Sequence, residues 1–338
     1  MMNSPDAAQR QKTLVAPPPV QGARAKGAAL AAVGAALMVL GSPPLALVAG
    51  MALALSIGQP YARRVQVASK WLLQISVVLL GFSMDLAVVL RSGLDGSLFA
   101  ATTIGATLLL GWWIGRKLGL PGKTSTLISV GTAICGGSAI AAVSSVIGAS
   151  GAEIAVSIGT IFLLNAVALY VFPIAGHLLH LDQAQFGLWA GVAIHDISSV
   201  VGAGISYGNV ALQTATAVKL SRALWIVPVT MGFAAAARRR GKADAAPAAK
   251  IAIPWFIGIF LLASLMRSYV PAIASLAPTL EIVARHGMVL VLFMIGSLLS
   301  RDALRAVGWR TAAMGVALWM FISVASLTVI MLLHPGPA

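Results

Sequence analysis

Charge is what this chain of 338 residues has least of: only 9% of its residues are Asp, Glu, Lys or Arg, against roughly 25% in a soluble domain. That scarcity excludes an ordinary water-soluble surface. Acids are rarer still, 9 against 23 Lys and Arg, for a net charge of +14. There is one cysteine, Cys135, which excludes an intrachain disulfide, and no Cys/His cluster has metal-ligand spacing, so neither metal nor cofactor is expected. No GxxxxGK[ST] stretch occurs, which removes the ordinary means of holding a nucleotide triphosphate and with it ATP-driven pumping by this chain alone. Residues 1–23 lack the apolar core of a signal peptide and are rich in Pro, Ala and Gln; they read as a disordered cytoplasmic N-terminus.

Apolar sequence is what the chain has in plenty. Hydrophobic residues make up 59%, mean hydropathy is +0.93, and blocks of about 20 apolar residues recur throughout, each long enough to span ~30 Å of hydrocarbon as a helix. The expected fold is an all-α polytopic membrane protein. A transmembrane barrel would need strict two-residue alternation. Eleven helices are read over 24–41, 44–60, 69–91, 97–116, 123–148, 152–176, 184–206, 210–237, 251–270, 281–300 and 303–333. Residues 24–333 form one transmembrane domain, with a basic loop at 238–250 and a tail at 334–338.

The basic residues punctuate these blocks, so they report topology and not nucleic acid. With the N-terminus in the cytoplasm, 18 of the 23 fall on the cytoplasmic side and only Arg91, Arg267 and Arg285 opposite, as the positive-inside rule requires. The C-terminus is then outside, and the membrane is the inner (plasma) membrane of a bacterial-type cell. Eleven divides into one extra helix plus two inverted five-helix repeats, the plan of many secondary transporters. The frame pairs the third helix with the eighth and the fifth with the tenth, although the visible echo, LGFSMDLAVVLRSG (80–93) against IGSLLSRDALRAVG (295–308), lies in the third and tenth.

Two cations do not punctuate. Lys219 and Arg222 sit inside the apolar block 210–237, where each costs roughly 2.5–3.5 kcal/mol on insertion scales. Compensation is required, by a buried acid or by an anionic substrate, for which Arg offers a planar fork and Lys a point charge. Thr216 continues their polar face. Asp196, next to His195 in the middle of block 184–206, is the natural counter-charge, and His195 is of the residue type suited to carrying a proton near physiological pH; Ser198 and Ser199 add hydroxyls. Their bland alternative is a structural ion pair beside a packed histidine. In block 123–148 the pair Gly136-Gly137 weakens the helix, and a break there would expose backbone N–H groups, with Ser138, to an anion; close packing of small residues is the plain alternative. Asp85 ends LLGFSMDL near the outer interface, as a helix cap or a gate. Asn165 is a lone polar residue suited to an interhelical hydrogen bond.

The motifs GTAICGGSAIAA, HDISSVVGAG, ATAVKLSRALWIVPV and LLGFSMDL stand in the order LLGFSMDL, GTAICGGSAIAA, HDISSVVGAG, ATAVKLSRALWIVPV along residues 28–333. Together they resemble the YeiH-like membrane proteins, a family labelled as sulfate exporters. Ile197 stands where many of its members carry Thr. The resemblance implies inverted repeats, broken helices and a place among cation:proton antiporters and anion transporters; the homodimer usual in that superfamily is a further expectation. No residue roles come with it. The expected function is a secondary transporter for a small oxyanion such as sulfate or a sulfonate. Lys219, Arg222, Gly136, Gly137, Ser138, Ser198, Ser199 and Thr216 would form its binding site, and His195 and Asp196 would couple it to protons. A cation:proton antiporter using Asp196 is the alternative. Enzyme activity is not expected, since adjacent helical residues such as His195 and Asp196 point about 100° apart.

Overall fold

The computed structural model describes residues 23–239, 254–299, 301, 305 and 307–333. The N-terminal segment to residue 22, most of the basic loop and the tail from 334 lie outside the described residues. Among those described, every regular element is a helix. Four helices are long and apolar enough to cross a membrane, and a bent pair makes a fifth, by length and composition.

The chain opens with α1 (Ala23–Leu40), α2 (Pro43–Ile57) and α3 (Ala62–Gly81). It then turns through 114° at residues 82–85 into α4 (Leu86–Lys117). Asp85 makes that turn a helix start: its carboxylate accepts from the Ala87 N–H at 2.8 Å and faces Arg267 at 3.6 Å. Asp85 thus acts as both a cap and an ion-pair partner.

The segments 123–148 and 184–206 depart from the sequence expectation. Each is two short helices: α5 (Gly122–Ala133) with α6 (Gly137–Ile147), and α8 (Gln183–Ala193) with α9 (Ile197–Tyr207). Neither pair runs on in one direction. The Lys123 ammonium donates to the Gly148 carbonyl at 2.6 Å, so the end of α6 returns to the start of α5. The Tyr207 hydroxyl donates to the Leu181 carbonyl at 2.6 Å, and its ring stacks on Phe186 at 3.7 Å, so α9 likewise returns to the start of α8. Both segments are helical hairpins.

Long helices follow each hairpin. α7 (Gly151–Leu178) starts from a Ser150–Glu153 capping box. At 1.5 Å per residue it covers about 42 Å, leading from the open end of the first hairpin to that of the second. α8 starts from its own capping box, Asp182–Gln185. After α9 the chain runs back through α10 (Asn209–Leu224) and α11 (Ile226–Arg239). α8 packs parallel to α10: Gly187 lies against Ala211 and Thr214, Gly191 against Ala215 and Val218, so close that a Cβ on Gly191 would sit 2.8 Å from the Val218 side chain. The two hairpins therefore enter the bundle from opposite ends. α12 (Trp255–Tyr269), α13 (Pro271–Ser297) and α14 (Trp309–Leu333) complete it.

Five positions of the hairpins also match at one spacing. Gly131, Ala133, Ile134, Ser138 and Gly148 recur 60 residues later as Gly191, Ala193, Ile194, Ser198 and Gly208, and α6 and α9 begin and end at that same spacing. The frame expected from the sequence, third helix with eighth and fifth with tenth, is a different pairing from this one.

Candidate functional site

The hairpin tips meet in the interior. The first tip, residues 134–136, depends on Gly136, whose φ of +68° lies where a side chain is strained. A Cβ there would stand 3.3 Å from Ile161 and 3.6 Å from the His195 carbonyl oxygen. The second tip has neither Gly nor Pro. Asp196 breaks the helix as the N-cap of α9, its carboxylate accepting from the Ser198 N–H at 3.1 Å and from the Ser198 hydroxyl. An acid at that end also faces the positive end of the helix dipole.

Lys219 and Arg222, both fully buried, reach the first tip from α10. The Lys219 ammonium donates to the Ile134 carbonyl at 3.5 Å. One Arg222 nitrogen donates to the Ala133 carbonyl and another to the Thr103 hydroxyl at 2.9 Å. The cations thus occupy the carbonyl end of α5, where orphan acceptors and the negative end of the dipole favour positive charge. This corrects the expected pairing with Asp196. The direct ion pairs among the described residues are instead Arg267–Asp85 and Arg285–Glu281.

A reciprocal contact holds the second tip. The Asn165 side-chain oxygen, on α7, accepts from the N–H groups of His195 (3.2 Å) and Asp196 (3.3 Å). Each long helix therefore clamps the other hairpin: α7 takes the donors of the second tip, α10 the acceptors of the first. Asn165 and Thr103 were absent from the sequence-derived site. The only signal for Asn165 was its solitary polarity in an apolar helix, and Thr103 had none.

Other expected ligands are partly committed. The Gly136 N–H donates to Gly131 (2.9 Å), and the Thr216 hydroxyl turns back to Leu212 (2.6 Å) on its own helix; neither is free for an anion. Ser198 is spent on Asp196, and Ser199 is buried beside it. Ser138 is exposed, with its hydroxyl 2.9 Å from the Cys135 sulfur, and Gly137 is half-buried. Around the tips several buried polar atoms have no partner among the described residues: both ring nitrogens of His195, Asn165 Nδ2, Arg222 Nε and the Thr132 hydroxyl.

A family model described as conserved hypothetical protein 698 matches residues 25–315. The chain belongs to this family, the YeiH-like group its motifs resemble. Curated relatives in the family are called UPF0324 membrane proteins. One from Porphyromonas gingivalis is 50% identical over 298 residues, covering 86% of this chain and 88% of the relative. Others from Bacteroides thetaiotaomicron and Bdellovibrio bacteriovorus are each 46% identical over 291 residues, covering 86% of this chain and 86% and 89% of the relatives. No solved structure matches. This YeiH-like chain is a multi-pass membrane protein.

Proposed function

We propose that this protein is a secondary transporter that moves a small oxyanion, such as sulfate or a sulfonate, across the inner membrane. The observation that carries the reading is the meeting of two hairpins, entered from opposite ends and related by a repeat, at a point holding two buried cations and one acid. Inverted repeats with helix breaks at mid-depth are the usual construction of such carriers. The charge balance favours an anion, because the acid is already used to cap α9. Gly137 and Ser138 head α6 and offer N–H groups to an oxyanion, and Lys219, held by a single long bond, is the cation most free to turn toward it. His195 and Asp196 supply the proton coupling.

In this reading the hairpins do not cross. Nine spans remain: α1, α2, α3, α4, α7, α10–α11, α12, α13 and α14, with the N-terminus cytoplasmic and the C-terminus outside. The first hairpin then opens to the cytoplasm, at Lys123, and the second to the outside.

The alternative, cation:proton antiport at Asp196, draws on the partial exposure of that residue among fully buried neighbours. Flux in proteoliposomes separates the two. Uptake of radiolabelled sulfate that is competed by sulfonates and abolished in Lys219→Met supports the oxyanion reading. Absent anion flux together with cation-dependent proton movement that Asp196→Asn abolishes supports the alternative.

A further inference from the structure

The two hairpins match in register and backbone form but not in burial. On α6 the exposed residues are Ser138, Ala141 and Ser145, spaced three and four apart and so on one helix face. Their counterparts 60 residues on are Ser198 and Val201, both fully buried, and Ile205, partly buried. A lipid-facing stripe in this protein looks different: α7 exposes Val167, Val171, Ile174 and Leu178. Two hydroxyls and a methyl make a smaller and more polar face than that one, even though the hydroxyls also donate to the Cys135 (3.3 Å) and Ala142 (2.9 Å) carbonyls of their own segment. The stripe leads from the Lys123–Gly148 contact to Ser138 at the tip, where the buried His195 ring and Thr132 hydroxyl have no partner among the described residues.

Equivalent halves held in unequal environments describe one of two states related by exchange of the halves. We propose that the α6 stripe walls a water-filled passage from its end of the bundle to the hairpin tips. In the opposite conformation α6 packs away, and the Ser198–Val201–Ile205 stripe of α9 opens a matching passage to the other end. The passenger is a small hydrophilic anion, and that identity alone rests on the transport reading above; the passage itself does not.

Cysteine accessibility tests this in membrane vesicles of either orientation. The background is Cys135→Ser, with single cysteines at Ala141, Ser145, Val201 and, as a lipid-facing control, Val171; monodispersity and a wild-type unfolding midpoint confirm folding of each. A membrane-impermeant maleimide should label Ala141→Cys and Ser145→Cys at least about tenfold faster than Val171→Cys, since thiolate formation needs water, and from the α6 end only. Saturating sulfate under a gradient should slow these and speed Val201→Cys from the other end. Labelling no faster than Val171→Cys, or equal labelling from both ends, overturns the proposal. Reciprocal labelling driven by a cation gradient, with no sulfate flux, upholds the passage and overturns the oxyanion as passenger.

Discussion

Lys219 and Arg222 stand one helical turn apart, equally buried, yet the structure assigns them different energetic roles. Replacing Arg222 with Met removes two charge-assisted hydrogen bonds, each worth about 1.5–3 kcal/mol. Thr103 keeps its bond to the Phe99 carbonyl at 2.9 Å, so the lasting loss is the Ala133 carbonyl, left buried at a cost of about 1–3 kcal/mol. The end of α5 also loses a compensating charge worth about 0.3–2 kcal/mol. Against this, a guanidinium no longer has to be desolvated, which returns several kcal/mol. Removing one member of a buried charged contact usually costs about 3–5 kcal/mol net, and Arg222→Met should fall near the lower end, about 3 kcal/mol. Lys219 makes one bond at 3.5 Å, beyond the usual range, so losing it costs little while its desolvation penalty is recovered. Lys219→Met should lie within about 1 kcal/mol of wild type, on the stabilised side if either. Reversible unfolding in mixed micelles with rising SDS, followed through the eight tryptophans, measures both. Equal destabilisation by the two substitutions would refute this reasoning and make Lys219 a structural residue.

Further outcomes follow from the tips. Asn165→Leu leaves the His195 and Asp196 amides without their acceptor, costing about 2–6 kcal/mol at 1–3 per orphaned donor; hydrogen exchange at those two amides should accelerate before global unfolding. Gly136→Ala forces a side chain into a φ of +68° against Ile161 and should cost about 1–3 kcal/mol, read as a lowered unfolding midpoint. Asp196→Asn keeps a side chain equally able to cap α9, whereas Asp196→Ala loses about 1 kcal/mol; the Asn variant should fold as wild type but transport with a shifted pH profile, and an unchanged pH profile would remove Asp196 from the coupling.

Composition and block length made the helical membrane class legible, and the glycine pair marked the first tip within a residue. The second tip was hidden because its break uses neither Gly nor Pro. A signal was present nonetheless, since Asp196 followed by Ser198 is a cap written into an apolar block. Hairpins were read as spans because an apolar segment of about 25 residues has the length of one crossing whether it crosses or turns back. The 60-residue correspondence between the hairpins is faint in the sequence because only five identities carry it, two glycines, one alanine, one isoleucine and one serine. The cations were assigned to Asp196 because an acid shows in a sequence, while the carbonyls of Ala133 and Ile134 that bind them are backbone groups every residue carries.

The central claim is that an oxyanion binds at the hairpin tips through Lys219, and the most direct measurement is ligand-specific protection against thermal unfolding at constant ionic strength. A ligand at ten times its Kd that binds only the folded state stabilises it by about 1.4 kcal/mol. Sulfate or a sulfonate, but not chloride, should raise the unfolding midpoint of the wild type, with the rise lost in Lys219→Met although that variant remains folded. Protection that persists in Lys219→Met, or none from any small oxyanion, would contradict the account.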